Sequence, residues 1–466
     1  MTSPASSTRT AGSIGDIIYR ATKMAPLNCF PGVDELLARF DAIAAEYPEN
    51  AVRRRIGTSR AGDPIYDYVI GTGSAQILVY AGVHPNEPIG FHTVQRLAED
   101  LLGDHALLTA LDATWHLIPC IDPDGTRLNE GWFGAPSSRA HYARHFYRPA
   151  PQEQVEWSFP LSYKDAYFDR SMPETQALMR LIDETRPILL VGLHNAELGG
   201  VYYYLGRDVA GAVDDLHAIP EALGLPLDAG EPESADLTAI APAVFQAPLA
   251  TEHYDYLDSL GLDPAAEVGG GGSADYARRY QSVTFVAELP YWSHPDAADT
   301  RPSGTDYADV LRRKAAALKD LSRVLQDAMS AALPHLALES PFLRASRAFV
   351  PMTAAVGDAE ARRAELPESS REATTAEVFT NEDTVRSFRL RFGGMLVRAI
   401  NAEVAAGVAP TELRLIGAEL SRVYEEWIEE SETVRGIEVL PIEKLVGVQY
   451  ASTLAVAARL LAEQTA

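Results

Sequence analysis

Three apolar, strand-length runs in this chain each deliver polar residues at their downstream end. Ile77-Leu-Val-Tyr-Ala-Gly82 leads to His84 and Glu87, Ile188-Leu-Leu-Val-Gly-Leu193 leads to His194, and Val283-Thr-Phe-Val-Ala287 leads to Glu288. Short continuous apolar runs bounded by turn signals fit strands buried on both faces. In open α/β sheets, ligand sites gather beyond the carboxyl ends of such strands. The pattern therefore restricts the chain to a layered α/β fold with a polar site along one edge of its sheet.

His84, Glu87 and His194 make a candidate metal set. A catalytic zinc takes three protein ligands, commonly two His and one carboxylate, and keeps a fourth position for water. His84 and Glu87 stand three residues apart at a strand-to-helix junction, which turns both side chains toward one ion, and His194 arrives from a neighbouring strand end. Glu288 is left free for proton transfer. A lone His after an apolar strand is more often a satisfied structural residue; here the repetition of the pattern favours a site, and the layout supports hydrolysis. His92, His105, His116, His217, His253 and His335 read as surface or core residues.

With 466 residues, of which 47% are hydrophobic, the chain supports one large domain plus an additional module. The reading divides it into a mobile N-terminal tail over 1–25, a catalytic domain over 26–334 and a C-terminal helical module over 335–466. Within the domain, the spacing of Val33, Leu36, Leu37, Phe40, Ile43 and Ala44 predicts a helix. Further helices are expected at 88–102 and 173–185, and further strands at 65–70, 113–119 and 201–205. The turn Asp122-Pro-Asp-Gly125 opens a long irregular stretch, 126–172, dense in aromatics, Arg and His. Helical patterns recur at 384–405, 411–431 and 441–464.

The formal net charge of −25 argues against nucleic-acid and anionic-membrane partners. Cys29 and Cys120 are the two cysteines, far apart, so disulfide stabilisation is not expected. The Ser- and Thr-rich start lacks the apolar segment of a secretory signal, and no stretch reads as spanning a bilayer, so the expected location is cytoplasmic.

Taken in order, the segment Arg54 to Ile65, His84-Pro-Asn-Glu87, Asp122-Pro-Asp-Gly125, Pro173-Glu-Thr175, His194, and Gly272-Ser-Ala-Asp-Tyr276 ahead of Glu288 resemble the zinc carboxypeptidases of the M14 type. The resemblance covers roughly residues 30 to 330. It implies a mixed β-sheet flanked by helices, here with the extra C-terminal helical module. It also implies one Zn2+ per chain, held by His84, Glu87 and His194. Glu288 is then the general base and proton shuttle in a metallocarboxypeptidase that hydrolyses the C-terminal amide bond of a peptide or peptide-like metabolite with zinc-activated water.

For the substrate side, the family's Asn-Arg clamp is most nearly matched by Ala143-Arg-His-Phe146, which assigns the terminal carboxylate to Arg144 with His145 beside it. The oxyanion Arg is expected at Arg127, with Arg139 as the other choice. Ala274, between Ser273 and Asp275, stands where the family reads the side chain. Glu130, Glu197 or Glu267, if facing the cleft, would favour an amine-bearing substrate. His84 to Gly90 also resembles the zinc deacylases that cleave N-acyl amino acids such as succinylglutamate. A non-catalytic peptide-binding relative is the reading from another class. The C-terminal helices suit a homo-oligomer contact or a protein partner.

Overall fold

The computed structural model describes residues 10–465, apart from the side chains at 266 and 267. The apolar runs become the middle of a nine-stranded mixed sheet. Its strands are β1 (Ala51–Thr58), β2 (Pro64–Ile70), β3 (Ala75–Ala81), β4 (Ala113–Ile118), β5 (Leu189–Leu193), β6 (Tyr202–Leu205), β7 (Ala239–Ala241), β8 (Val244–Gln246) and β9 (Val283–Glu288). They lie in the order β1-β2-β4-β3-β5-β9-β6-β8-β7. The four central strands, β4, β3, β5 and β9, are parallel, as expected of runs apolar on both faces. Outside them, β2 joins β4 and β6 joins β9 in antiparallel sense.

Register decides where the polar residues emerge. Leu193 pairs with Ala81 on one side and with Ala287 on the other, so β3, β5 and β9 end level. His84, His194 and Glu288, the polar residues at these three ends, are thereby delivered to one edge. Helices cover both faces. Ile89–Gly103 and Val33–Glu46 lie on one, the latter burying the periodic Val33, Leu36 and Phe40. Pro173–Thr185 covers the other, packing Ala177, Leu178, Leu181 and Ile182 against Leu78, Tyr80 and Leu190.

Three expectations are corrected here. The stretch read as an N-terminal tail, 1–25, contains a helix, Ile14–Ala21, capped by Ser13, that buries Ile17 and Ala21 and ties Arg20 to Asp16 and Asp104; residues 1–9 lie outside the described residues. The irregular 126–172 contains a helix, Arg139–His145, started by the Ser138 hydroxyl, and a small hairpin of Leu161–Tyr163 with Ala166–Phe168.

The third correction concerns the boundary at 335. The helices Tyr307–Ala332, Pro341–Arg363, Thr375–Ala405 and Thr411–Glu432 pack on one another. The last helix, Ile442–Thr465, instead runs back to the sheet, against Ile14–Ala21, Ile89–Gly103, Ala212–Leu223, β5 and β9. It is apolar nearly all round, the mark of a helix buried on every side. By length and composition it is also sufficient to cross a bilayer, contrary to the sequence reading, although 78% of its apolar window is buried inside the protein.

Candidate metal centre

Two glycines shape the approach to the site. Gly82 has φ +68°, a conformation in which L side chains are strained, and it turns the chain from β3 toward His84. At Gly192 a Cβ would meet His194 Nε2 at 2.8 Å, so its bare backbone leaves room for the imidazole.

His84, Glu87, His194 and Glu288 are all buried, none more than 6% exposed. His84 Nδ1 lies 3.1 Å from both carboxylate oxygens of Glu87, and His194 Nδ1 lies 3.4 Å from Glu87 Oε2. The two rings meet edge to face with centroids 4.6 Å apart. Within this trio one ligand atom from each residue lies within 4.8 Å of the others. Tetrahedral zinc with bonds near 2.0–2.1 Å needs donors about 3.3 Å apart. The separations of both imidazoles from Glu87 fit that edge, and the two-imidazole, one-carboxylate set fits the ion. Glu288 Oε1 stands 3.7 Å from His194 Nδ1, beside the trio.

Neighbours fix these groups. The Asn195 backbone N–H donates to Glu87 Oε2 at 3.2 Å. Asn195 Oδ1 accepts from the Ile89 N–H and from the Tyr291 hydroxyl, both at 3.2 Å, and the same hydroxyl lies 3.0 Å from the Asn86 carbonyl. Such outer contacts orient ligands before any metal arrives.

Burial, followed by the nearby Arg148 guanidinium, pushes His84 down to about 3. At His194 burial works in the same direction, but Glu87 and Glu288 outweigh it and raise the imidazole to about 9. Burial holds the Glu288 carboxyl well above the usual range, with His194 opposing and Glu87 adding to the rise. Near neutral pH the metal-free site therefore has a neutral His84 and a protonated His194. An imidazole binds metal only when deprotonated. Zinc affinity should accordingly increase as pH rises from 6.5 toward 9, and zinc uptake at pH 7.5 should release at least one proton. Calorimetry in buffers of different ionisation enthalpy reads this number, and uptake without proton release would contradict it.

Of the residues expected on the substrate side, the three arginines and His145 are held by other partners. Arg144 falls on the outward face of Arg139–His145, 42% exposed in its side chain, and its Nη2 donates to Glu425 at 2.6 Å. His145 donates from Nδ1 to the His141 carbonyl at 2.9 Å. Arg127 is held by Asp63 and Asp34, at 2.8 and 2.7 Å. Arg139 makes a two-pronged pair with Asp383, at 2.9 and 2.7 Å. Ala274 is buried with Tyr204, Leu249 and Val286, on the wall beside β9.

The amine-favouring carboxylates are committed too. Glu130 accepts from the Val33 N–H at 2.8 Å at the start of a helix. Glu197 accepts from the Tyr142 hydroxyl at 2.7 Å and pairs with Arg391. The Glu267 side chain lies outside the described residues.

A cation that does reach the cluster is Arg148, to which the sequence analysis assigns no role. Its Nη1 donates to Glu87 Oε1 at 2.9 Å and its Nε to Gln154 Oε1 at 3.0 Å. It lies just beyond the short helix, where the chain is extended and the side chain turns inward. Noticing that residues 139–145 are helical would have separated it from Arg144. Glu156 is a second residue that the sequence does not single out: its Oε1 accepts from the N–H and hydroxyl of Ser273, both at 2.9 Å, next to Ala274.

A family model described as zinc carboxypeptidase matches residues 36–308. A carboxypeptidase A from Helicoverpa armigera is 16% identical, the match covering 60% of this chain and 70% of that one, with a TM-score of 0.37. A metallo-carboxypeptidase from Burkholderia cenocepacia is 16% identical over 55% of this chain and 60% of that one, with a TM-score of 0.34. Bovine thrombin-activatable fibrinolysis inhibitor, solved in complex with tick carboxypeptidase inhibitor, is 11% identical over 55% and 86%, with a TM-score of 0.34. No curated protein matches the chain. On the match over residues 36–308, the chain belongs to the zinc carboxypeptidase family.

Proposed function

We propose that this protein is a zinc-dependent metallocarboxypeptidase that removes the C-terminal residue of a peptide or peptide-like substrate. One observation carries the reading. Three zinc-type donors, His84, Glu87 and His194, converge in a buried site with a further carboxylate, Glu288, beside His194 and a guanidinium, Arg148, on Glu87. His84, Glu87 and His194 would hold the ion; when bound, zinc supplies Lewis-acid polarisation of the scissile carbonyl and makes water more acidic.

The remaining work belongs to side chains. Glu288, at the end of β9, takes the proton of the attacking water on a carboxylate oxygen and passes it to the departing amine nitrogen. Its burial suits a base that must alternate between charged and neutral forms. Arg148 presents parallel N–H donors, the geometry that receives a carboxylate. Without substrate it rests on Glu87; with substrate it orients the terminal carboxylate and so selects chain ends.

Arg148→Ala is expected to lower kcat/KM for a free-acid peptide about 30-fold, equivalent to about 2 kcal/mol for a lost charged hydrogen bond. The loss should fall mainly on KM. The test compares one peptide as free acid and as C-terminal amide, using wild type and variant. The reading expects wild type to prefer the acid and the variant to lose that preference. Equal turnover of acid and amide by the wild type would overturn it. Release of acyl groups from N-acyl amino acids would move the assignment to a deacylase.

A further inference from the structure

The centre is carried by three separate pieces of chain, and one side chain touches all of them. Gln449 is completely buried in the helix Ile442–Thr465, far beyond the family match at 36–308. Its Nε2 donates to the backbone carbonyl of His194 at 2.9 Å and to that of Ala287, the residue before Glu288, at 3.4 Å. Its Oε1 accepts from the Thr93 hydroxyl at 2.8 Å. Thr93 sits one turn into Ile89–Gly103, the helix that starts just after Glu87. Both donor protons and the acceptor of a single amide are thus spent on the segments that carry Glu87, His194 and Glu288.

We propose that Gln449 is a positioning residue for the metal centre, and that the C-terminal helix is part of the site rather than an attached module. Main-chain ladders align β5 with β9, and among the described residues no ladder fixes either strand end against the helix beyond Glu87. Beside the Asn195 contact to the Ile89 N–H, the Gln449 amide adds a second tie, and it alone among these contacts also reaches the end of β9. Partners outside the ligand set characteristically change metal affinity 10- to 100-fold when removed. This inference rests on the zinc reading above.

The test is Gln449→Met, which keeps length and apolar bulk but loses all three hydrogen bonds. Thr93→Val removes the acceptor contact of Gln449 and leaves its two donor contacts, losing besides only the longer 3.3 Å contact of the hydroxyl to the Ile89 carbonyl within its own helix. Ser452→Ala is the control: Ser452 is equally buried on the same helix, and its hydroxyl faces Tyr203 instead. Zinc dissociation constants come from chelator competition, site geometry from the visible spectrum of the Co2+ form, and packing from thermal unfolding of the metal-free protein. Gln449→Met should weaken zinc binding 10- to 100-fold and alter the cobalt spectrum, Thr93→Val should weaken it about threefold to tenfold, and Ser452→Ala should leave both unchanged. Wild-type affinity and spectrum in Gln449→Met, even with a lowered melting temperature, would overturn the proposal. If Gln449→Met does not fold, Thr93→Val indistinguishable from Ser452→Ala would overturn it. Failure of the zinc reading is separately visible, because wild type itself would then bind no zinc.

Discussion

Glu288→Gln is expected to lower kcat by about 10²- to 10⁴-fold while zinc remains bound, the range lost when a general base is removed. The substitution is nearly isosteric, so the packing at the end of β9 is retained. An amide cannot accept the water's proton, and that is the function removed. Glu288 lies 3.7 Å from His194, outside the trio whose ligand atoms converge. Its charge is one cause of the raised pKa of His194. Because Glu288 is not one of the three converging ligands, zinc affinity should hold in the variant. Steady-state kinetics with metal analysis of the same samples separates the effects. A kcat within about tenfold of wild type, or loss of zinc, would contradict the assigned role.

His194→Ala is expected to have the largest effect on metal binding. If a full zinc site is worth about 10–16 kcal/mol, one of four ligand positions carries roughly 3–4 kcal/mol, or about 10²- to 10³-fold in affinity. Activity should vanish at zinc concentrations that saturate wild type. The metal-free variant should also be less stable near pH 6, because Glu87 and Glu288 lose their buried cationic neighbour. The folded pKa of His194, about 9, lies above its ordinary value. Its stabilising contribution is therefore complete below about pH 6.5 and fades as pH rises through 9. Thermal melts of both metal-free proteins across that range should converge at the alkaline end. A constant gap would show that the loss is packing rather than charge.

The centre is legible in the sequence because strand chemistry and site chemistry coincide. Runs that must be buried on both faces become the parallel strands β3, β5 and β9, and level register brings the polar residues at their ends together whatever separates them in sequence. The side chains that surround the trio are less legible because they depend on local phase. Arg144 and Arg148 are four residues apart in one Arg- and His-rich segment. The short helix Arg139–His145 ends between them, sending one to Glu425 and the other to Glu87. Long-range pairs such as Arg127 with Asp34, or Glu130 with the Val33 N–H, leave no local signature. The final helix is legible as a helix, yet its destination is not. Its apolar surface fits a bundle as well as a sheet, and Gln449 reads as an ordinary polar interruption until its three partners are seen.

The most direct measurement is mass-spectrometric product analysis of a mixed panel of free-acid peptides and N-acyl amino acids, incubated with zinc-loaded wild type and with Glu288→Gln. Loss of single C-terminal residues from the peptides with wild type, and not with the variant, is the result expected of a metallocarboxypeptidase acting through Glu288. Intact peptides in both samples, with zinc demonstrably bound, would contradict it.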